Sequence, residues 1–276
     1  MAMAMHVSSA VLMRNNVRVV GAGAKTVVLA HGFGSDQSAW RHIEAALAPD
    51  HQVVLFDLVG AGHAQVSAYS PRRYRSLHAY AADLLEILAE LSLESVIYVG
   101  HSMSGMIGLL AGITEPERFE RMVFVGASPR YLNDTGYVGG FDQSDINALY
   151  AAMSSNYQAW ASGFSGLVMG YPERPELAAE FASTLTSIRP DIAVAVARLI
   201  FQSDHRADLA KLSVPTLIIQ TQHDPAVPAA VGTFLSTQIP RAELRIVDAQ
   251  GHFPHLSAPD AVLRAVRPFI SQAGSY

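Results

Sequence analysis

Seven short runs of β-branched and aliphatic residues, at 17–20, 27–30, 53–57, 96–99, 122–125, 217–220 and 244–247, punctuate the chain, with helical patterns filling most intervals between them. A run that is apolar at consecutive positions has two faces to bury, and a strand achieves this in a parallel sheet covered by helices on both sides. Helices are predicted at 39–47, 77–91, 103–114 and 259–270. In the second of these Leu84, Leu85, Leu88 and Leu91 form one apolar stripe, leaving Asp83, Glu86 and Glu90 for water. Such alternation predicts a doubly wound α/β sheet.

One interval breaks the rhythm, because about ninety residues separate Val125 from the strand near Thr216. A single crossover needs far fewer, so the interval must carry helices of its own. Segments 142–156, 175–188 and 190–201 read as helical, the last two with Pro near the first turn, where its missing N–H costs nothing. An all-helical insert after a central strand sits above the carboxyl ends of the strands, where open α/β sheets bind ligands. A lid is therefore expected at 132–206, between core segments 1–131 and 207–276.

The 276 residues, half of them apolar and 16% charged, supply material for one large core. At this length roughly three quarters of the extended chain's surface is buried on folding, so one domain with a small subdomain suffices. The absence of cysteine removes disulfides and thiolate metal sites and lends secretion no support. A net charge of −5 and the lack of a Lys/Arg cluster argue against nucleic acid and anionic membranes as partners. The most apolar window, 103–113, is far short of the ~20 residues that span a bilayer. Residues 1–13 lack a basic start and a small-residue cleavage pattern, and read as a ragged tail leading into the first strand. A cytoplasmic protein is expected, a monomer or weak homodimer.

The strongest chemical signal is Gly100-His101-Ser102-Met103-Ser104, between the strand at 96–99 and the helix at 103–114. A serine on a sharp strand-to-helix turn has its hydroxyl exposed, and small flanking residues relieve the crowding there. Ser104 stands where that pattern has glycine. A neutral serine needs a base, and the base an orienting carboxylate, in the chain order serine, acid, histidine. Asp224, in Gln222-His223-Asp224-Pro225, follows one late strand, and His252, in Gly251-His252-Phe253-Pro254, follows the last. Asp224 could instead merely begin a turn before Pro225. Asp248 is the competing acid, on the same loop as the histidine, while His223 and His255 are expected to line or support the site.

His31-Gly32-Phe33-Gly34 follows the strand at 27–30. Its glycines let the backbone aim an N–H at the nucleophile, so the amides of Phe33 and Met103 are the predicted oxyanion hole, with His31 bracing the loop. Gly60-Ala61-Gly62 follows a strand but lacks the third glycine and the acid that dinucleotide binding requires. Helical His-x-x-x-His spacing is missing, and neither metal nor cofactor is expected.

With these residues assembled, the chain resembles the α/β-hydrolase superfamily, and within it the RsbQ-like bacterial stress-response hydrolases and the plant strigolactone and karrikin receptor hydrolases. The resemblance runs through His31-Gly32-Phe33-Gly34 with Asp36-Gln37-Ser38, through 98–102, Ser128-Pro129-Arg130-Tyr131-Leu132-Asn133-Asp134, Gly139-Gly140-Phe141 and Phe201-Gln202-Ser203-Asp204. Ser104 is similar to the plant receptors; Ser203-Asp204-His205-Arg206 and Gly251-His252-Phe253-Pro254-His255 look more like the bacterial regulators. The resemblance implies an α/β-hydrolase fold with an inserted four-helix lid over a mostly apolar pocket. It implies a lining that includes Phe33, Tyr131, Phe141, Trp160, Phe164, Phe181 and Phe201. It also implies a possible signalling partner that docks on the lid.

The expected chemistry is hydrolysis of a small apolar ester or lactone, with Ser102 attacking, His252 moving the proton and Asp224 holding it. The alternative is a slow-turnover, ligand-sensing protein that acts through a partner, since site and surroundings, not fold, decide function. Carbon–carbon bond hydrolysis by the same triad is a third reading. Aspartate-nucleophile dehalogenases and epoxide hydrolases are disfavoured by the serine at 102.

Overall fold

The computed structural model describes residues 9–272. Seven strands, β1 (Arg18–Val20), β2 (Thr26–Ala30), β3 (Gln52–Phe56), β4 (Val96–His101), β5 (Phe119–Val125), β6 (Thr216–His223) and β7 (Ala242–Gln250), form one sheet in the order β1-β3-β2-β4-β5-β6-β7. Only β1 runs antiparallel, against β3. The chain winds outward from β2 to β3, then crosses back to lay β4 on the other side of β2. Strand order reverses there, which opens a crevice beyond the carboxyl ends of β2 and β4. Residues 31–34 and Ser102 lie at those two ends.

Alternation along the strands divides the core. Val28, Val54, Tyr98 and Phe124 face one layer, packed with Leu84 and Leu88 of α3 (Leu77–Glu90), Ile107 of α4 (Met103–Thr114) and Leu235 of α9 (Ala229–Gln238). Val27, Leu29, Val53, Ile97 and Val99 face the other, against Ile43 and Leu47 of α2 (Arg41–Leu47) and Val262 and Phe269 of α11 (Pro259–Ile270). Two-faced burial fails at the edge strand β7, where Ile246 is 59% exposed, because an edge has sheet on one side only.

Between β5 and β6 lie four helices, α5 (Gln143–Ser155), α6 (Tyr157–Met169), α7 (Pro175–Ser187) and α8 (Pro190–Phe201). Three match the helical patterns of the sequence; α6 and α9 do not. Ser162, Gly163, Ser165 and Gly166 make α6 a poor helix by propensity. It is started by Asn156, whose side chain accepts the Ala159 N–H.

Two expectations need correction. The predicted tail at 1–13 lies outside the described residues up to 8, but 10–14 form a one-turn helix, α1 (Ala10–Arg14), capped by Ser9. Asp83 does not face water: it is 1% exposed, with Arg14 Nη2 at 3.0 Å, the Tyr74 hydroxyl at 2.8 Å and Arg73 also bonded to it. Burial still raises the Asp83 pKa. Asp83→Ala strips Tyr74 and Arg73 of their acceptor and Arg14 of its charge partner, and is expected to cost about 2 kcal/mol, read as a lower urea midpoint at unchanged slope.

Candidate active site

Ser102 occupies the turn between β4 and α4 at φ 54°, ψ −120°, a backbone conformation that costs about 1–3 kcal/mol for a residue other than glycine. Surrounding bonds hold it. The Ser102 N–H donates to Val125 O (2.8 Å), the Tyr98 hydroxyl donates to Ser104 O (2.7 Å), and the Ser104 hydroxyl donates to His31 O (2.5 Å). The serine found in place of glycine therefore fastens the turn to the loop after β2.

The Ser102 hydroxyl lies 2.9 Å from His252 Nε2, and His252 Nδ1 lies 2.8 Å from Asp224 Oδ2. A carboxylate only accepts, so Nδ1 carries the proton and Nε2 is left to accept from the hydroxyl. The other oxygen, Asp224 Oδ1, accepts the N–H groups of Ala226 (2.8 Å) and Val227 (3.0 Å). Asp248 is exposed and bonds Gln222 at 3.3 Å. His223 is also exposed and does not line the site; its main-chain O accepts the Gly251 N–H (2.8 Å).

His252 is held by the helix the sequence pattern missed. Its N–H donates to Val168 O near the end of α6 (2.7 Å). Gly251, at φ +75°, lies so close to that helix that a Cβ would stand 2.0 Å from Met169 O. Any side chain at 251 would push the histidine loop away from α6 and from Ser102.

Beneath the histidine, His101 Nε2 donates to His252 O (2.8 Å), and the His101 ring packs 4.5 Å from that of His255. His255 stacks on Trp40 at 4.3 Å, fully buried, and burial, then His252 and Arg41, lower its pKa to about 3. A histidine in the unfolded chain titrates near 6.5. Both states are neutral above that pH; as the pH falls from 6.5 toward 3, the unfolded chain binds a proton that the folded chain refuses. Stability is therefore lost across that window, and His101, shifted the same way, adds to the loss. His255→Phe is expected to reduce the drop in urea midpoint between about pH 7 and pH 5. An unchanged drop would count against this account.

The loop after β2 approaches Ser102 closely. A Cβ on Gly32 would stand 2.6 Å from His101 Nδ1 and 3.1 Å from Ser102 Cβ, so only glycine fits. His31 Nε2 accepts the Leu58 N–H (3.0 Å), leaving Nδ1 to donate to Gly32 O (2.9 Å), and the imidazole braces the loop as expected. Among the described residues no acceptor takes the amide of Phe33 or Met103, the latter at the first turn of α4. Two free amides beside a hydroxyl can stabilise a developing oxyanion.

Above these groups is a cavity whose walls include Phe33, Tyr131, Phe164, Phe181 and Phe201. Of the seven aromatic residues expected there, Trp160 and Phe141 stand behind the wall, stacked on Phe164 (5.1 Å) and packed edge-on against Phe201 (5.7 Å). Trp160 is carried by α6, whereas Phe141 lies ahead of α5 in a bridge with Leu132, and each backs a ring that does line the cavity. The lining also takes in His101 and Phe253, neighbours of the nucleophile and the base in their motifs, and Val168 and Ile200, which no motif includes. Tyr131 adds polarity: its hydroxyl lies 3.2 Å from Ser102 Oγ, and burial raises its pKa and keeps it a neutral phenol.

The family model for the alpha/beta hydrolase fold matches residues 25–259. The chain belongs to the α/β-hydrolase family. This α/β hydrolase is 48% identical over 250 residues to a karrikin-insensitive-2 receptor of Petunia hybrida, covering 90% of this chain and 93% of that one. It is 43% identical to a strigolactone esterase of Arabidopsis thaliana, covering 91% and 94%. Among solved structures, a hydrolase from Oleispira antarctica superposes with a TM-score of 0.93 at 35% identity, covering 96% of this chain and 97% of that one. The resemblance read from the motifs thus holds over nearly the whole α/β hydrolase. No helix among its described residues is long and apolar enough to cross a membrane.

Proposed function

We propose that the chain is a serine hydrolase that cleaves a small apolar ester or lactone through an acyl-enzyme intermediate. The observation that carries this reading is the unbroken hydrogen-bonded series Asp224–His252–Ser102 at 2.8 and 2.9 Å, opening into an aromatic cavity. Ser102 Oγ bonds to the carbonyl carbon as its proton passes to His252 Nε2. The Phe33 and Met103 amides receive the oxyanion, and the leaving oxygen departs with the proton from His252. Water then repeats the cycle, breaking the acyl–Ser102 bond and returning the proton to the serine. Residues 132–206 serve as the lid; α7 is tied to the loop after β2 by the Thr184 hydroxyl on Gly34 O (2.9 Å) and to the start of α2 by Arg41 paired with Glu180.

The test is to trap the intermediate. Incubation with p-nitrophenyl acetate, acid quench and peptide mapping should place one acetyl group on Ser102. Rapid hydrolysis with the acyl group trapped on another residue would overturn the assignment.

The names of the relatives, receptor for one and esterase for another, favour a second reading in which turnover is slow and the ligand-bound lid docks on a signalling partner. Steady turnover near the common enzyme rate of about 10 per second excludes sensing as the sole role. A single acylation followed by arrest supports it.

A further inference from the structure

Phe33 also lines a second, smaller cavity, which does not have His252 among its walls. Its other walls include Leu58, Val59, Tyr80, Ile192, Ala193 and Val196, and Gly60 and Ala61 complete it. Phe33 lines both cavities; Met103 lines only this one and Ser102 only the other. The two spaces therefore meet at Phe33, one of the two residues whose amides flank the nucleophile. Apart from the Phe33 and Met103 amides assigned to the oxyanion, the lining side chains offer a ligand no unused donor: both His31 nitrogens are engaged, and the Tyr80 hydroxyl donates to Val59 O (3.3 Å). A polar group entered here would lose its hydration without replacement, whereas a hydrocarbon would gain by burial.

We propose that this cavity is the acyl subsite, taking an unbranched aliphatic chain of the substrate, with the Phe33 ring as the partition between acyl and leaving groups. This rests on Ser102 being the nucleophile. With the carbonyl oxygen on the Phe33 and Met103 amides, the leaving oxygen must face His252 Nε2, which protonates it. The leaving group then extends into the aromatic cavity, of which His252 is a wall. The other substituent of the carbonyl points away from His252, past Met103, into the second cavity.

The test compares kcat/KM for p-nitrophenyl acetate and hexanoate in the parent protein, in Ala193→Leu, which fills the cavity, and in Val196→Ala, which enlarges it. The hexanoate-to-acetate ratio should fall about tenfold or more in the first and rise in the second, since a methylene in or out of an apolar pocket is worth roughly 10–200-fold. A space that only relieves packing would change both substrates equally, and a ratio unmoved in both variants overturns the proposal. If Ala193→Leu fails to fold, Val196→Ala alone decides. A separate measurement needs no turnover: 2-octanone binding to Ser102→Ala protein, by calorimetry, should weaken when Ala193→Leu is added and tighten with Val196→Ala. Failure of the parent to hydrolyse any ester would sink the nucleophile assignment, while equal ketone affinities would sink the subsite.

Discussion

Replacing Ser102 with alanine is expected to lower kcat/KM for a small ester by about 10⁴- to 10⁶-fold, because the group that forms the covalent bond is gone and only the oxyanion donors and binding remain. The fold should survive. The turn at φ 54° is held by the main-chain bond to Val125 and by the Tyr98 and Ser104 contacts, none of which uses the Ser102 side chain. What is lost is the hydroxyl's bonds to His252 at 2.9 Å and to Tyr131 at 3.2 Å. Both partners line the cavity and His252 keeps its bond to Asp224, so the melting temperature should stay within about 4 °C of the parent. Parental hydrolysis by a folded, homogeneous Ser102→Ala protein would remove the basis of the proposed mechanism.

Asp224→Asn should reduce kcat by about 10⁴-fold with the backbone unchanged. Two N–H groups, from Ala226 and Val227, point at the Oδ1 position. An asparagine must satisfy them with its oxygen, which turns its NH₂ toward His252 Nδ1. That nitrogen must then accept, so the ring proton moves to Nε2, and a protonated Nε2 cannot take the proton of Ser102. Asp248→Asn, at an exposed position near the end of β7, should leave kcat within about twofold, as an exposed substitution away from the reacting groups does. A large loss in the Asp248 variant together with a small one in the Asp224 variant would reassign the acid.

Much of the α/β framework was legible before any coordinates, because buried parallel strands leave no choice of composition. Residues 103–114 and 259–270 read as helices to the residue, and each strand was found within a few positions. The failures share a cause. The α6 and α9 helices are rich in Ser, Thr and Gly, and tertiary packing, not propensity, makes them helical. Asp83 reads as solvent-facing by its position on α3 and is buried because α1 brings Arg14 down on it from more than sixty residues away. The resemblance implies a pocket wall for Trp160 and Phe141, but whether an aromatic ring touches the cavity or backs the one that does depends on how the α6 helix and the loop before α5 pack, which spacing does not encode.

By itself the sequence determined the class of fold and the residue types at the end of each strand: a serine after β4, an acid after β6, a histidine after β7 and a glycine loop after β2. These are local facts, set by strand-to-turn chemistry within a few residues. The tertiary structure alone decided that 150 residues of intervening chain close to bring Ser102 and His252 within 2.9 Å, and that the end of α6 clamps the histidine loop against Gly251. It also decided that Phe33 parts two apolar spaces. Distances between side chains far apart in sequence follow from how helices and loops pack, and packing is a property of the whole core.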